Sequence, residues 1–327
     1  MIVTLRAGVD PGRIARELAG LGLWTRRLDD GRRSLLLVDR GSAAASPDDL
    51  LAVEGVESVA VPSSTTPLLD AQPPVVEIAG VAIGPGAPPI LMAGPCSVES
   101  EAAIRRLADQ VAGAGARFLR GGAFKPRTSP YAFRGHGERA LGWLRRAASD
   151  HGLAVVTEAM SEADAELVAA HADLVQIGSR NMANYALLAA VGRTGRPALL
   201  KRGMAATVEE WLSAAEHLLH AGARAVILCE RGIRGFDPST RNVLDLGAVA
   251  LLSGVHGLPV VVDPSHAAGR RDLVPALARA ALASGASGLL VEVHDAPGDA
   301  LSDGPQAVSP ESLATFAPRR PGEVCFA

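Results

Sequence analysis

The sequence predicts a (β/α)8 barrel preceded by a small α+β domain of ferredoxin-like βαββαβ order. Eight short apolar runs recur between residues 89 and 292, and each ends at, or runs into, a charged or metal-binding residue. Between them lie Ala- and Leu-rich stretches of helical period. Strand, reactive residue and helix in repeated order is the pattern of a barrel whose chemistry sits at the C-terminal rim of its strands. A third observation separates the first 62 residues: they carry their own alternation of strand and helix signals ahead of a polar, proline-rich stretch.

In the first unit, Ile2–Leu5 reads as a strand. Asp10-Pro11 supplies an N-cap and a proline at the first helical position. The following helix puts Ile14, Leu18 and Leu21 on one face. Leu23–Leu28 and Ser34–Asp39 flank Asp29-Asp30-Gly31, a hairpin signal. A short helix near Pro47–Val53 and a strand at Val56–Val61 complete the split βαβ order. Residues 63–74 are a linker. Val75–Ile83 reads as a hairpin turning at Ala79-Gly80 and plugging the barrel, which spans 75–317. Residues 318–327 form a tail. The barrel runs are Pro89–Cys96, Arg117–Phe124, Leu153–Glu158, Leu174–Gly178, Ala198–Lys201, Ala225–Glu230, Pro259–Asp263 and Gly288–Val291.

Composition agrees with this architecture. Hydrophobic residues make up 48% of the 327 residues but aromatics only 3%, so Ala, Val, Leu and Ile must build the core. The formal net charge of -3 argues against nucleic acid or an anionic membrane as partner. Three scattered cysteines cannot frame a disulfide scaffold. The N-terminus does not read as a signal peptide and no apolar run reaches a membrane span, so a cytoplasmic protein is expected.

Two constellations carry chemistry. Arg120, Lys125, Arg127, Arg180, Lys201, Arg202 and Arg231 lie at or just past strand ends. Barrel closure converges them, and converging cations cost stability unless an anion neutralises them. A phosphate-bearing substrate, or two, fits. The alternative is a set of salt bridges to rim carboxylates. The second constellation is Cys96, His266, Glu292 and Asp303, from adjacent barrel sectors. Thiolate, imidazole and carboxylates suit a borderline divalent ion. A small buried cysteine and an ordinary hydrogen-bonded histidine are the alternatives, and His294, two residues after Glu292, is the competing ligand. Glu158 ends its strand and can pair with Lys201 or Arg120, or handle a proton or water.

The motifs around these residues resemble those of 3-deoxy-D-arabino-heptulosonate 7-phosphate (DAHP) synthases, specifically the type I-beta class with an N-terminal regulatory domain. The resemblance is carried by Gly94-Pro95-Cys96-Ser97-Val98-Glu99, Arg120-Gly121-Gly122-Ala123-Phe124-Lys125-Pro126-Arg127-Thr128-Ser129-Pro130, Gln176-Ile177-Gly178-Ser179-Arg180-Asn181, Leu200-Lys201-Arg202-Gly203, Cys229-Glu230-Arg231-Gly232 and Asp263-Pro264-Ser265-His266. It implies condensation of phosphoenolpyruvate with erythrose 4-phosphate, the first step of the shikimate pathway. It implies that Arg120, Lys125, Arg180, Lys201 and Arg231 hold phosphoenolpyruvate. Lys125, Pro126, Arg127 and Thr128 hold erythrose 4-phosphate. Cys96, His266, Glu292 and Asp303 hold one divalent metal ion per subunit (Mn, Fe, Zn, Co or similar), and Leu301-Ser302-Asp303-Gly304 favours Asp303 over His294. Lys125, Lys201, Glu158, Cys96 and His266 are the implied catalytic set. A homotetramer and an aromatic amino acid effector are also implied, although Trp24-Thr25-Arg26-Arg27 carries an arginine pair in the effector region. The rival readings are the sister reaction with arabinose 5-phosphate, which gives 3-deoxy-D-manno-octulosonate 8-phosphate (KDO 8-phosphate), and a non-catalytic phosphate-metabolite sensor. The Lys125-Pro126-Arg127-Thr128 segment and the N-terminal unit favour DAHP synthase over the sister reaction, and the presence of every implied catalytic residue argues against the sensor.

Overall fold

The structure, a computed structural model, describes residues 1–29, 34–38, 45–61, 64–125 and 133–318. The chain divides into two compact units, Met1–Pro67 and Leu68–Ala327.

In the first unit, β1 (Ile2–Leu5), β2 (Thr25–Asp29), β3 (Ser34–Val38) and β4 (Val56–Ala60) form one antiparallel sheet. Its strand order, β2-β3-β1-β4, is that of the ferredoxin-like arrangement. The Asp10 carboxylate caps the helix Pro11–Gly20 by accepting from the Gly12 and Arg13 backbone N–H groups. Ile14 and Leu18 on that helix pack with Val3, Leu5, Leu36 and Leu50. Leu21 departs from the expected apolar face. The helix ends at Gly20, Leu21 becomes its C-cap and is 56% exposed, and Leu23 takes the core position instead. The turn residues 30–33 lie outside the described residues, but the strands they join pair from Thr25↔Val38 to Asp29↔Ser34.

In the second unit the hairpin β5 (Val76–Ile78) and β6 (Val81–Ile83) precedes the barrel strands. Its two turn residues, Ala79 and Gly80, both have positive φ, at 49° and 73°. That is the twist a two-residue hairpin turn requires. Eight parallel strands then close into a barrel: β7 (Ile90–Gly94), β8 (Phe118–Arg120), β9 (Ala154–Ala159), β10 (Leu174–Ile177), β11 (Ala198–Lys201), β12 (Val226–Glu230), β13 (Val260–Val262) and β14 (Gly288–Glu292). Closure is made by β14 pairing with β7 from Gly288↔Ile90 to Glu292↔Gly94.

Alternation along these strands places the site. Successive side chains point to opposite faces. One parity, including Leu91, Leu119, Val155, Val175, Leu200, Leu228, Val262 and Leu289, joins the outer core shared with the helices. The other parity fills the interior: Met92, Phe118, Val156, Leu174, Leu199, Ile227, Val261 and Leu290 pack on Val76, Ile78, Val81 and Ile83 of the hairpin. The hairpin therefore seals the lower end of the barrel. Followed upward by two or four residues, the interior parity reaches Arg120, Glu158, Gln176, Gly178, Lys201, Arg231, Asp263 and Glu292. Among the described residues no helix is long and apolar enough to cross a membrane.

Candidate active site

The polar ends of the interior parity surround a cavity of about 340 Å³. Arg120, Lys125, Arg180, Lys201, Arg231 and Arg241 line it, against two carboxylates, Glu158 and Asp303, with His266 beside them. Arg120, Lys201 and Arg231 are buried. Burying like charges together is costly, so their counter-charges decide what the cavity can do.

Asp263 is the first counter-charge. It is 1% exposed, and its Oδ2 accepts from Lys201 Nζ at 2.5 Å and from His266 Nδ1 at 2.6 Å. Its Oδ1 caps the helix Pro264–Ala268 through the His266 backbone N–H at 2.9 Å. Burial alone raises this carboxyl, but the His266 and Lys201 charges and the His266 hydrogen bonds outweigh it and hold Asp263 well below the usual carboxylate range. With Nδ1 engaged, His266 presents Nε2, which lies 3.4 Å from Glu292 Oε1.

Glu292 is the second counter-charge. Its Oε1 accepts from Arg120 Nη1 at 2.6 Å, and its Oε2 accepts from Gln306 Nε2 at 2.6 Å. Burial pushes this carboxyl up, yet His266, Arg120 and Lys125 together bring it down to about 2. The Arg120 guanidinium has a buried donor, Nε, that finds no partner among the described residues. An unmatched buried N–H carries a desolvation cost that a bound anion removes.

Beside these pairs, donor atoms of Cys96, Glu292 and Asp303 all lie within 4.8 Å of one another. The Cys96 thiol donates to Asp303 Oδ2 at 3.0 Å and accepts from Lys125 Nζ at 3.0 Å. Burial, then the Glu292 carboxylate, pushes the thiol up to about 12 against the opposing charges of Lys125 and Arg120. Asp303 occupies the left-handed region at φ 51°. Such strain in a non-glycine residue persists only where surrounding contacts hold it. With His266 Nε2 adjoining Glu292, the set of one thiol, one imidazole and two carboxylates fits a borderline divalent cation. His294, the competing ligand, turns elsewhere: its Nε2 lies 3.5 Å from Glu99 Oε2 and its Nδ1 lies 3.4 Å from Asp295 Oδ1.

Arg202 corrects the expected ring of cations. It is buried but does not line the cavity. Its Nη1 bridges Glu230 Oε2 at 3.0 Å and Asp245 Oδ2 at 2.8 Å, and its Nε donates to the Ala206 carbonyl at 3.1 Å. Being one residue past Lys201, it points to the opposite face. Glu230 in turn accepts from the Gly232 N–H at 2.6 Å, which fixes the turn that carries Arg231. Arg231 is anchored to backbone carbonyls of Gly232 and His266 at 3.3 and 3.2 Å. The salt-bridge alternative to an anion site thus accounts for Arg202 and for part of the charge on Arg120 and Lys201. It leaves the cavity lining with an excess of cations.

Glu158 sits in the cavity wall with its Oε2 accepting from Gln176 Nε2 at 2.9 Å. Pro126, Arg127 and Thr128 lie outside the described residues. Asp263 and Gln176, which stand in the motifs without an assigned role, and Arg241 and Gln306 are not among the expected site residues. Asp263 stands before a proline and reads as a helix cap, a role it also fills. Gln176 could have been found from its inward parity with Gly178, whereas nothing in the residues around Gln306 signals contact with Glu292.

The DAHP synthetase I family matches residues 64–320. The chain belongs to that family. Over 234 residues it is 50% identical to the phospho-2-dehydro-3-deoxyheptonate aldolase of Thermotoga maritima, covering 72% of this chain and 69% of that protein. The crystal structure of the Thermotoga maritima enzyme, also named DAHP synthase, superposes with a TM-score of 0.74 at 40% identity, covering 96% of this chain and 95% of that one. A 2-dehydro-3-deoxyphosphooctonate aldolase of Acidithiobacillus ferrooxidans is 32% identical over 251 residues, 71% of this chain and 88% of that protein.

The different placements of Arg202 and its neighbours are separable by mutation. Arg202→Leu leaves Glu230 buried without its cation and is expected to cost about 3–5 kcal/mol of stability. Urea denaturation measures it. A variant of wild-type stability whose main defect is weak substrate binding places Arg202 in the anion site instead.

Proposed function

We propose that this chain condenses phosphoenolpyruvate with erythrose 4-phosphate and water, giving DAHP and phosphate. The observation that carries this reading is the convergence of buried Arg120, Lys201 and Arg231 on one cavity beside the Cys96, Glu292 and Asp303 cluster. Family membership supplies the reaction. Arg120, Lys125, Arg180, Lys201 and Arg231 bind the phosphate and carboxylate of phosphoenolpyruvate, and the unmatched Arg120 Nε gains a partner. Lys125, Pro126, Arg127 and Thr128 hold erythrose 4-phosphate, and the fork of donors on Arg127 matches its phosphate.

The methylene carbon of phosphoenolpyruvate attacks the aldehyde carbon, so no side-chain nucleophile is needed. Water captures the carbon bearing the phosphate, and the resulting phosphohemiketal loses phosphate by C–O cleavage. The chain holds both substrates in attack geometry, which converts a bimolecular step into a unimolecular one. Lys201, anchored by Asp263, and Glu158, anchored by Gln176, are the groups we assign to proton transfer. Cys96, His266, Glu292 and Asp303 hold a divalent ion, which when bound supplies Lewis acidity toward the aldehyde oxygen.

A turnover assay offering each acceptor sugar with phosphoenolpyruvate tests the function. Erythrose 4-phosphate is expected to be consumed and arabinose 5-phosphate refused, and the reverse preference overturns the reading. Arg127→Ala should raise KM for erythrose 4-phosphate at least tenfold more than KM for phosphoenolpyruvate, on the order of one lost bidentate contact. Equal effects on both would remove the acceptor role of the loop.

Chelation with EDTA should abolish turnover, and added Mn²⁺ should restore it. Equilibrium dialysis should find about one ion per subunit in the wild type and a strong loss in Cys96→Ala, since the thiolate is a principal donor. Full activity of Cys96→Ala after exhaustive chelation would sink the metal site.

The first unit is proposed to regulate. The residues assigned to catalysis all lie beyond Pro89, and the ferredoxin-like sheet has its own core. Pairing of such units in a homotetramer, bridged by an aromatic amino acid, lowers activity only if the effector favours the closed arrangement. Deleting residues 1–73 should preserve turnover and remove any inhibition by Tyr, Phe or Trp. Persisting inhibition would locate the effector on the barrel.

A further inference from the structure

Glu158 presents a physical difficulty. A carboxylate in a cavity built for anions repels the ligand that the surrounding cations attract. Two features of β10 and the residues after it resolve the difficulty. Gln176 lies beside Glu158 in the register between β9 and β10. It is buried, and its amide donates to Glu158 Oε2 at 2.9 Å. Two residues on, Gly178 has φ −71° and ψ 156°, a backbone conformation open to any residue. Its lack of a side chain therefore answers to space, not to backbone freedom. A Cβ built there would stand 2.1 Å from Glu158 Oε1 and 3.0 Å from its carboxyl carbon, and its three nearest neighbours are all Glu158 atoms. One carboxylate oxygen occupies the volume that every other amino acid would fill.

We propose that Gln176 and Gly178 are positioning residues that dock the Glu158 carboxylate in the cavity wall, the glycine setting its position and the amide its orientation. This rests on the assignment of the cavity to phosphoenolpyruvate. Docked, the carboxylate leaves the anion path clear and remains within the same wall for proton transfer. Released, it swings toward Arg120, Arg180 and Lys201 and competes with the ligand for them. Gly178→Ala changes position at little cost to the fold, because the displaced group is the end of a flexible side chain. Gln176→Leu leaves the space beside Gly178 and removes only the orienting bond.

Full-length variants separate these effects. Inorganic phosphate is the probe for the anion path, its affinity read by titration calorimetry. Gly178→Ala should weaken phosphate binding by about tenfold, the order expected of one added like charge at partial screening. In a Glu158→Gln background the same substitution should change affinity by less than about twofold, because the displaced group is then neutral. Gln176→Leu should lower kcat by about 10- to 100-fold with KM for phosphoenolpyruvate within about threefold. Combined with Glu158→Gln it should be no worse than Glu158→Gln alone, the non-additivity of residues acting as one unit. Thermal melting should stay within a few degrees of wild type throughout. Equal losses of phosphate affinity in both backgrounds, or multiplying kcat defects, overturn the proposal. A wild type that binds phosphate but fails to turn over the two substrates removes the functional reading and leaves the phosphate comparison to judge the docking of Glu158.

Discussion

A closed parallel barrel sends alternate residues of every strand into one interior, and that constraint organises the rest of this molecule. Its lower half is filled by Met92, Phe118, Leu199, Ile227 and Leu290 against the β5–β6 hairpin. The same parity, carried to the strand ends, brings Arg120, Glu158, Lys201, Asp263 and Glu292 together. Because the apolar half is closed by Ile78 and Ile83, the polar half opens at only one end of the barrel axis. A shift by one residue in β8, β9, β11 or β14 would exchange an interior charge for an outward apolar side chain.

The charges so assembled are incompletely neutralised. Glu292 and Asp263 each bind one buried cation and one face of His266. The Lys201 side and the Cys96 side of the cavity consequently share their counter-ions: Arg120 and His266 meet on Glu292, while Lys201 and His266 meet on Asp263. Buried ion pairs of this kind contribute little net stability relative to apolar replacements. Their value lies in fixed geometry, with Arg120 Nε and the remaining lining cations left to an incoming anion. Arg202 shows the contrast. With two carboxylates and a carbonyl around it, its charge is spent within the scaffold and braces the turn that carries Arg231.

Loops contribute the parts that parity cannot. Asp303 reaches Cys96 from the segment after β14 and adopts a left-handed conformation to do so. Gln306 from the same segment holds one oxygen of Glu292, and Arg241 from the segment after β12 donates to Gln306 at 3.0 Å. Outer partners of this sort orient the groups that meet a ligand and commonly matter to affinity. The chain therefore places its charged pairs on rigid strands and completes the cluster around Cys96 from loops pinned by hydrogen bonds.

The barrel, its hairpin plug and the βαββαβ unit were legible in the sequence because each depends on local period: two for strands, near 3.6 for helices, and turn residues at Ala79-Gly80. The gathering of Cys96, Glu292 and Asp303 followed from closure, since β14 must neighbour β7. Local period could not decide Leu21, whose exposure depends on where the helix stops; it does decide Arg202, which one residue past Lys201 faces away from the cavity. It could not supply the partners of the site. Asp263 beneath Lys201 and His266, Gln306 behind Glu292, and the space that Gly178 gives to Glu158 are relations between strands and loops distant in sequence. Side-chain type and period determine which face a residue takes. Which charge meets which, and which group is left for a ligand, is decided only when the barrel closes and buried groups must find partners.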